Sequence, residues 1–137
     1  MISCLCLGHH GYVGNQMFQY ASLMGIAETN KMEYRTHIPS WNEGTFTPHI
    51  WEEFQLSARP LTQTPQFRVA ETNHCYNTQY ENLKPNTDIF GYFQTEKYFE
   101  NIKEKVQAEF AFKTETLREC AEYISSVPPI PVSVAIL

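Results

Sequence analysis

Ile2-Ser3-Cys4-Leu5-Cys6-Leu7-Gly8-His9-His10-Gly11-Tyr12-Val13-Gly14-Asn15-Gln16-Met17-Phe18-Gln19-Tyr20 sets an apolar run, a glycine-containing turn and the start of a helical pattern in direct succession. Ile2 to Leu7 reads as a strand. Beyond the turn, Met17, Tyr20, Ala21, Met24 and Ala27 recur at helical spacing, and Phe18, Leu23 and Ile26 widen the apolar sector. Asn15 to Thr29 is therefore predicted to be a largely buried helix. A turn that feeds a helix start is a ready anion site, because the first N–H groups lack intrahelical partners and carry the positive end of the helix dipole. Gly11 and Gly14 allow positive φ or close backbone approach. Asn15 and Gln16 either cap the helix or offer amide hydrogen bonds to a polar ligand. The spacing Gly8-x-x-Gly11-x-x-Gly14 matches neither a dinucleotide G-x-G-x-x-G nor a Gly-Lys-Ser/Thr phosphate loop, so taken alone it reads as a structural turn.

Outward from this unit, Lys31 to His37 is predicted to be a second strand. Pro39, Asn42, Gly44 and Pro48 then break up a loop carrying Trp41, Phe46, Trp51 and Phe54. Residues 38 to 66 have no clear period and read as loop packing with short helices; lining a cleft is the alternative. Asp88 to Phe93 reads as a strand, and Thr95 can cap a helix whose Phe99, Ile102, Val106 and Phe110 form one apolar stripe. Another helix follows, with Leu117, Cys120, Ala121 and Ile124 on one face and Thr116 to Glu119 at capping-box spacing. Both stripes are predicted to be core. Val127-Pro128-Pro129-Ile130-Pro131 ends helical structure, and Val132 to Leu137 reads as a buried strand. Strands alternating with helices point to an α/β fold with a doubly wound, mostly parallel sheet, whose ligands bind beyond the carboxyl ends of the strands.

Composition narrows the function. The 137 residues are 42% hydrophobic and 18% charged, enough for one globular domain with a core. A net charge of −5, with ten scattered Lys and Arg, provides no basic stripe for nucleic acid. No apolar run approaches the roughly 20 residues that span a bilayer, and Met1 is followed by no basic n-region or cleavage site, so a cytoplasmic location is expected. Cys4, Cys6, Cys75 and Cys120 lack the spacing of a disulfide scaffold and read as reduced thiols. Cys4 and Cys6 would share one face of a strand, with His9 and His10 nearby, but this is an incomplete tetrahedral set and no metal is expected.

Gly11-Tyr12-Val13-Gly14-Asn15-Gln16-Met17-Phe18-Gln19-Tyr20-Ala21 closely resembles the G-x-x-G-N-Q-(Met/Leu)-F-Q-Y-A signature of the α-1,2-fucosyltransferases, glycosyltransferase family 11. Gly91-Tyr92-Phe93-Gln94-Thr95-Glu96-Lys97-Tyr98-Phe99 is similar to that family's G-Y-(Phe/Trp)-Q-(Ser/Thr)-E-K-Y-F segment. The resemblance runs from Met1 to Leu137, with residues 38 to 87 matching only in general character. It implies the N-terminal, Rossmann-like lobe of a two-lobed, GT-B-like transferase, with GDP-fucose as donor, the 2-hydroxyl of a galactoside as acceptor, inversion at the anomeric carbon and no metal. It further implies that Gly14, Asn15 and Gln16 face the nucleotide sugar while Tyr12 and Val13 shape the loop. Gln94, just past a strand end, would line the cleft; Tyr92 beside it is expected to pack under the next helix, with lining the cleft as its alternative.

The end of the chain departs from the family. Relatives continue a strand like Val132-Ser133-Val134 into His-x-Arg-x-Gly-Asp, which carries the arginine for the donor phosphates; here Ala135 and Leu137 stand at the histidine and arginine positions. No Lys or Arg lies between Arg118 and Leu137. Such transfer needs a base for the acceptor proton and cationic or N–H donors for the departing diphosphate. The expectation is thus a single incomplete lobe over 1–137, without the C-terminal donor-binding lobe and inactive alone, its exposed sheet edge open to self-association. No base is assigned: Asp88, the sole aspartate, reads as solvated or turn-forming, and His9, His10, His37, His49 and His74 all fall in loops or at strand ends. The alternatives are a non-catalytic carbohydrate- or nucleotide-binding module, using the aromatic loop to stack on sugar, and a gene fragment.

Overall fold

The computed structural model describes residues 1–37 and 49–127. Among them, β1 (Ile2–Ser3), β2 (Tyr34–Thr36), β3 (Arg59–Pro60), β4 (Phe67–Ala70) and β5 (Thr87–Phe90) form one sheet in the order β3-β2-β1-β5-β4. Every pairing is parallel, from Ile2 opposite Tyr34 and Thr87 in the centre to Ala70 opposite Phe90 at the edge. Parallel neighbours need crossover connections, and α1 (Val13–Thr29) supplies the one between β1 and β2. The result is an α/β, Rossmann-like, doubly wound architecture, as the alternation of strands and helices predicts.

The first strand is shorter than the apolar run that announces it. From Cys4 the chain turns: the Leu7 N–H donates to the Cys4 carbonyl at 3.4 Å and the His9 N–H to the Cys6 carbonyl at 3.0 Å. The Leu5 N–H, which would extend a ladder, donates instead to Asp88 Oδ1 at 2.8 Å. Cys4, Cys6 and Leu7 are buried all the same, so the run is apolar because the turn is internal. Helix α1 buries ten residues and ends where Lys31 takes a left-handed φ of 53°. There the Asn30 side chain donates to the Ile26 and Tyr80 carbonyls and accepts from the Leu83 N–H, each at 2.7 Å, tying the helix end to the segment before β5.

The stripe Phe99, Ile102, Val106, Phe110 is not one continuous helix. It is divided among 3₁₀ turns at Glu96–Tyr98 and Glu100–Ile102 and the short α3 (Lys103–Glu109), and Thr95 makes no side-chain cap. The physical reason is a close crossing: a Cβ on Gly25 of α1 would lie 2.0 Å from the Tyr98 carbonyl oxygen, so the backbone here is pressed onto α1 and bent around it. Tyr98, Ile102 and Val106 still reach the core, with Tyr80, Phe93 and Tyr98 meeting edge-on at 5.3 to 5.6 Å. Trp51 and Phe54, from the aromatic stretch, belong to α2 (His49–Glu53) and the residue after it. They pack against Tyr20 and Phe110. Trp41 and Phe46 lie outside the described residues.

The last helix overturns an expectation. α4 (Thr114–Ser126) has no buried residue, and Leu117 and Ile124 of its apolar stripe are 56% and 70% exposed. Thr116 is not a cap; its hydroxyl donates to Glu53 Oε2 at 3.1 Å. That bond and the Phe54–Phe112 bridge hold the start of α4 beside α2, and among the described residues nothing covers the stripe beyond it. The strand predicted at Val132 to Leu137 lies outside the described residues.

Candidate functional site

Three strand ends meet at one rim. β1 runs into the turn from Cys4 to Gly11, β5 leads into Gly91 and β4 into Glu71, while α1 begins beside them at Val13. In doubly wound sheets this carboxyl rim is where ligands sit. Gly8 and Gly11 hold φ of 87° and 78°, which a side chain would resist, so the turn needs glycine at both places. Gly14 differs from the expectation of positive φ or close approach. It is an ordinary helical residue of α1, and a Cβ there would meet open space.

The cap question at α1 is settled by geometry. Tyr12 is the N-cap, with no side-chain hydrogen bond, and Asn15 is already the third helical residue. Asn15 Oδ1 instead accepts from Gln94 Nε2 at 2.6 Å, across 79 residues of sequence. Gln16 is fully buried; its Nε2 donates to the Gly11 carbonyl at 3.2 Å and its Oε1 accepts from the Ile50 N–H at 3.4 Å. It therefore braces the loop from inside. Tyr12 and Val13 stand on the outside, 81% and 40% exposed. The first N–H groups of α1, on Val13, Gly14 and Asn15, have no intrahelical acceptor.

Around the end of β5 lie two recesses that share Phe90, Gly91 and Tyr92. One, of about 250 Å³, also takes in Cys6 and His10; the other, of about 270 Å³, takes in Glu71, Asn73 and His74. Tyr92 borders both and is half-buried. Its N–H and that of Phe93 donate to Glu71 Oε2, at 2.8 and 3.1 Å, and Phe93 is held at a left-handed φ of 53°. From the α1 side, Gln19 Nε2 donates to the Gly91 carbonyl at 2.9 Å. Gly91 is thus clamped between α1 and Glu71, and a Cβ on it would meet Glu71 Cβ at 2.5 Å.

Glu71 is the site residue that sequence reasoning missed. Its strand, β4, has exposed Phe67, Arg68 and Ala70 and a half-buried Val69, so no alternation announces it. Asp88 is also not as expected: rather than solvated or turn-forming, it is buried within β5, and its carboxylate is consumed by Leu5, Ser3 and Arg68. His9 and His10 sit on the turn, His37 follows β2 and His74 lies beyond β4. Among the described residues no three His, Cys, Asp or Glu side chains converge as a metal-binding set. None of the described helices is long and apolar enough to cross a membrane.

A larger cavity, about 640 Å³, is lined by residues that include Met24, Glu28, Tyr34, Arg59, Lys105 and Glu109. It lies at the amino ends of β2 and β3, beside the far end of α1, and touches none of the glycine turn. Left-handed backbone occurs at both ends of the sheet, at Lys31 and Asn86 on this side and at Phe93 on the other, but the carboxyl ends, where doubly wound sheets hold ligands, are where Gly91 is clamped. Comparison with protein-family models, curated proteins and solved structures found no match.

Proposed function

We propose that this chain is a fucosyltransferase-like lobe that holds a nucleotide sugar and a galactoside at the carboxyl rim of its sheet, in the chemistry of α-1,2-fucosyl transfer from GDP-fucose. The observation that carries the reading is the Asn15–Gln94 hydrogen bond at 2.6 Å. The resemblance to the family rests on two distant segments, Gly11–Ala21 and Gly91–Phe99; these segments meet side chain to side chain, and Gly91 and Tyr92 of the second line both recesses. In this reading the N–H groups of Val13, Gly14 and Asn15, which have no intrahelical acceptor, face the donor diphosphate, Tyr12 and Tyr92 flank the sugar, and Gln16, Gln19 and Glu71 hold the two backbones in place.

These 137 residues carry no Lys or Arg between Arg118 and Leu137, so the cation that a departing diphosphate requires is not supplied where the family places it. The chain alone is therefore proposed to bind without turnover; that it needs no metal is what the family resemblance implies. Calorimetry with GDP, GDP-fucose and lactose, together with a fucosyl-transfer assay, tests both parts. The expected result is saturable GDP binding that Gly14→Arg abolishes, with no fucosylated product. Fucosylated lactose above the Gly14→Arg background would overturn the inactivity, and absence of any GDP binding would overturn the donor assignment. One observation favours a second reading: Tyr12, 81% exposed, offers a ring face at the rim suited to stacking on sugar in a non-catalytic module. Lactose binding without GDP binding would select that reading.

A further inference from the structure

The recess beside His10 has a thiol in its lining. Cys6 borders this space of about 250 Å³ together with His10, Phe90, Gly91 and Tyr92. Its sulfur lies 3.5 Å from Cys4 Sγ, 3.7 Å from the Gly91 carbonyl and 3.9 Å from Gln19 Nε2. The turn after β1 makes this pairing, because it folds two cysteines that a strand would keep apart onto each other. Cys4 is completely buried behind Cys6 and does not line the recess. A second thiol, itself without access to the recess, therefore lies against the first.

We propose that Cys6 is a redox-modification site and Cys4 its resolving thiol, the substrate being a small disulfide of the oxidised low-molecular-weight thiol class that enters this recess. The Cys6 thiolate attacks one sulfur of the small disulfide, forming a mixed disulfide and releasing one thiolate. Cys4, giving up its proton to that thiolate, then attacks Cys6 Sγ, closing a Cys4–Cys6 disulfide and expelling the second thiolate, which takes up the proton Cys6 lost. The protein loses two electrons and the small disulfide gains them, so two small thiols leave. The order follows from the environment. The hydrogen bond from Cys4 holds the Cys6 thiol below its ordinary range and raises that of Cys4, which burial raises further. Closure would draw the sulfurs from 3.5 Å to about 2.05 Å within the turn that leads to Gly8 and Gly11. The proposal is independent of the fucosyl-transfer reading.

The exposed Cys75 and Cys120 are first removed as Cys75→Ser and Cys120→Ser. The folded full-length variant is incubated with hydroxyethyl disulfide, quenched in acid, alkylated under denaturing conditions and read by peptide mass spectrometry. A Cys4–Cys6 disulfide is expected to accumulate, and Cys4→Ala in the same background should trap the mixed disulfide on Cys6. Cys6→Ala should slow modification of Cys4 at least ~10-fold relative to Cys6 in the Cys4→Ala variant. Full alkylation of both cysteines after native incubation would overturn the proposal. So would modification seen only once denaturant is added. If either alanine variant fails to fold, the parental variant alone decides between these outcomes.

Discussion

Asp88 shows how one buried side chain can set a pH dependence. Its Oδ1 accepts from the Leu5 N–H at 2.8 Å and Ser3 Oγ at 3.3 Å, its Oδ2 from Arg68 Nε at 2.9 Å, and its side chain is 2% exposed. Burial outweighs these three donors and holds the carboxyl above the ordinary aspartate range. The folded chain then binds the proton more tightly than the unfolded chain does. The resulting stabilisation is fully present below the unfolded pKa and is lost as pH rises through the folded one. Asp88→Asn deletes this titration and leaves the others in place. The difference in urea midpoint, native chain minus variant, is expected to fall as pH rises from the ordinary aspartate range and then to level off. A flat difference would show that the donors balance burial, and one that rises with pH that they outweigh it. Nothing in the sequence around Asp88 reveals this environment, because two of its three partners come from β1 and the turn after it and the third from β4, 20 to 85 residues away.

Two helical stripes with the same periodicity have opposite fates. Ile102 and Val106 are buried against α1, whereas Leu117 and Ile124 on α4 are exposed. Periodicity identifies the apolar face of an element but carries no information on what covers it. What makes the difference is contact with Gly25, whose missing side chain lets the Tyr98–Phe99 backbone close on α1 and draws Ile102 inward. Ile102→Ala is therefore expected to cost about 2–4 kcal/mol in urea unfolding, the range for truncating a buried aliphatic side chain. Leu117→Ala should stay within about 0.5 kcal/mol. Equal costs would mean that α4 is packed in solution. The same gap between pattern and neighbour hid β4: as an edge strand with only Val69 even partly covered, it has no alternation to read, yet it delivers Glu71 to the rim.

At the scale of the molecule, the alternation of strands and helices was enough to foresee a parallel sheet. Strand order was not foreseeable. That β5 lies beside β1, with β4 beyond it, is a matter of long-range pairing, and only this order brings Gly91, Glu71 and the glycine turn into one place. It also sets two spaces apart, the rim recesses at one end of the sheet and the cavity of about 640 Å³ at the other. Hydrogen exchange with and without GDP separates them, since a ligand that binds only the folded chain suppresses opening where it sits. Slower exchange is expected together at Gly11–Gln16, Thr72–His74 and Gly91–Gln94, three stretches far apart in sequence and joined only by the rim. Amides around Arg59 and Lys105–Glu109, at the far cavity, should be unchanged, as should those of α4. Protection confined to Arg59 and Lys105–Glu109 would move the ligand site to the amino ends of β2 and β3 and remove the role assigned to the glycine turn.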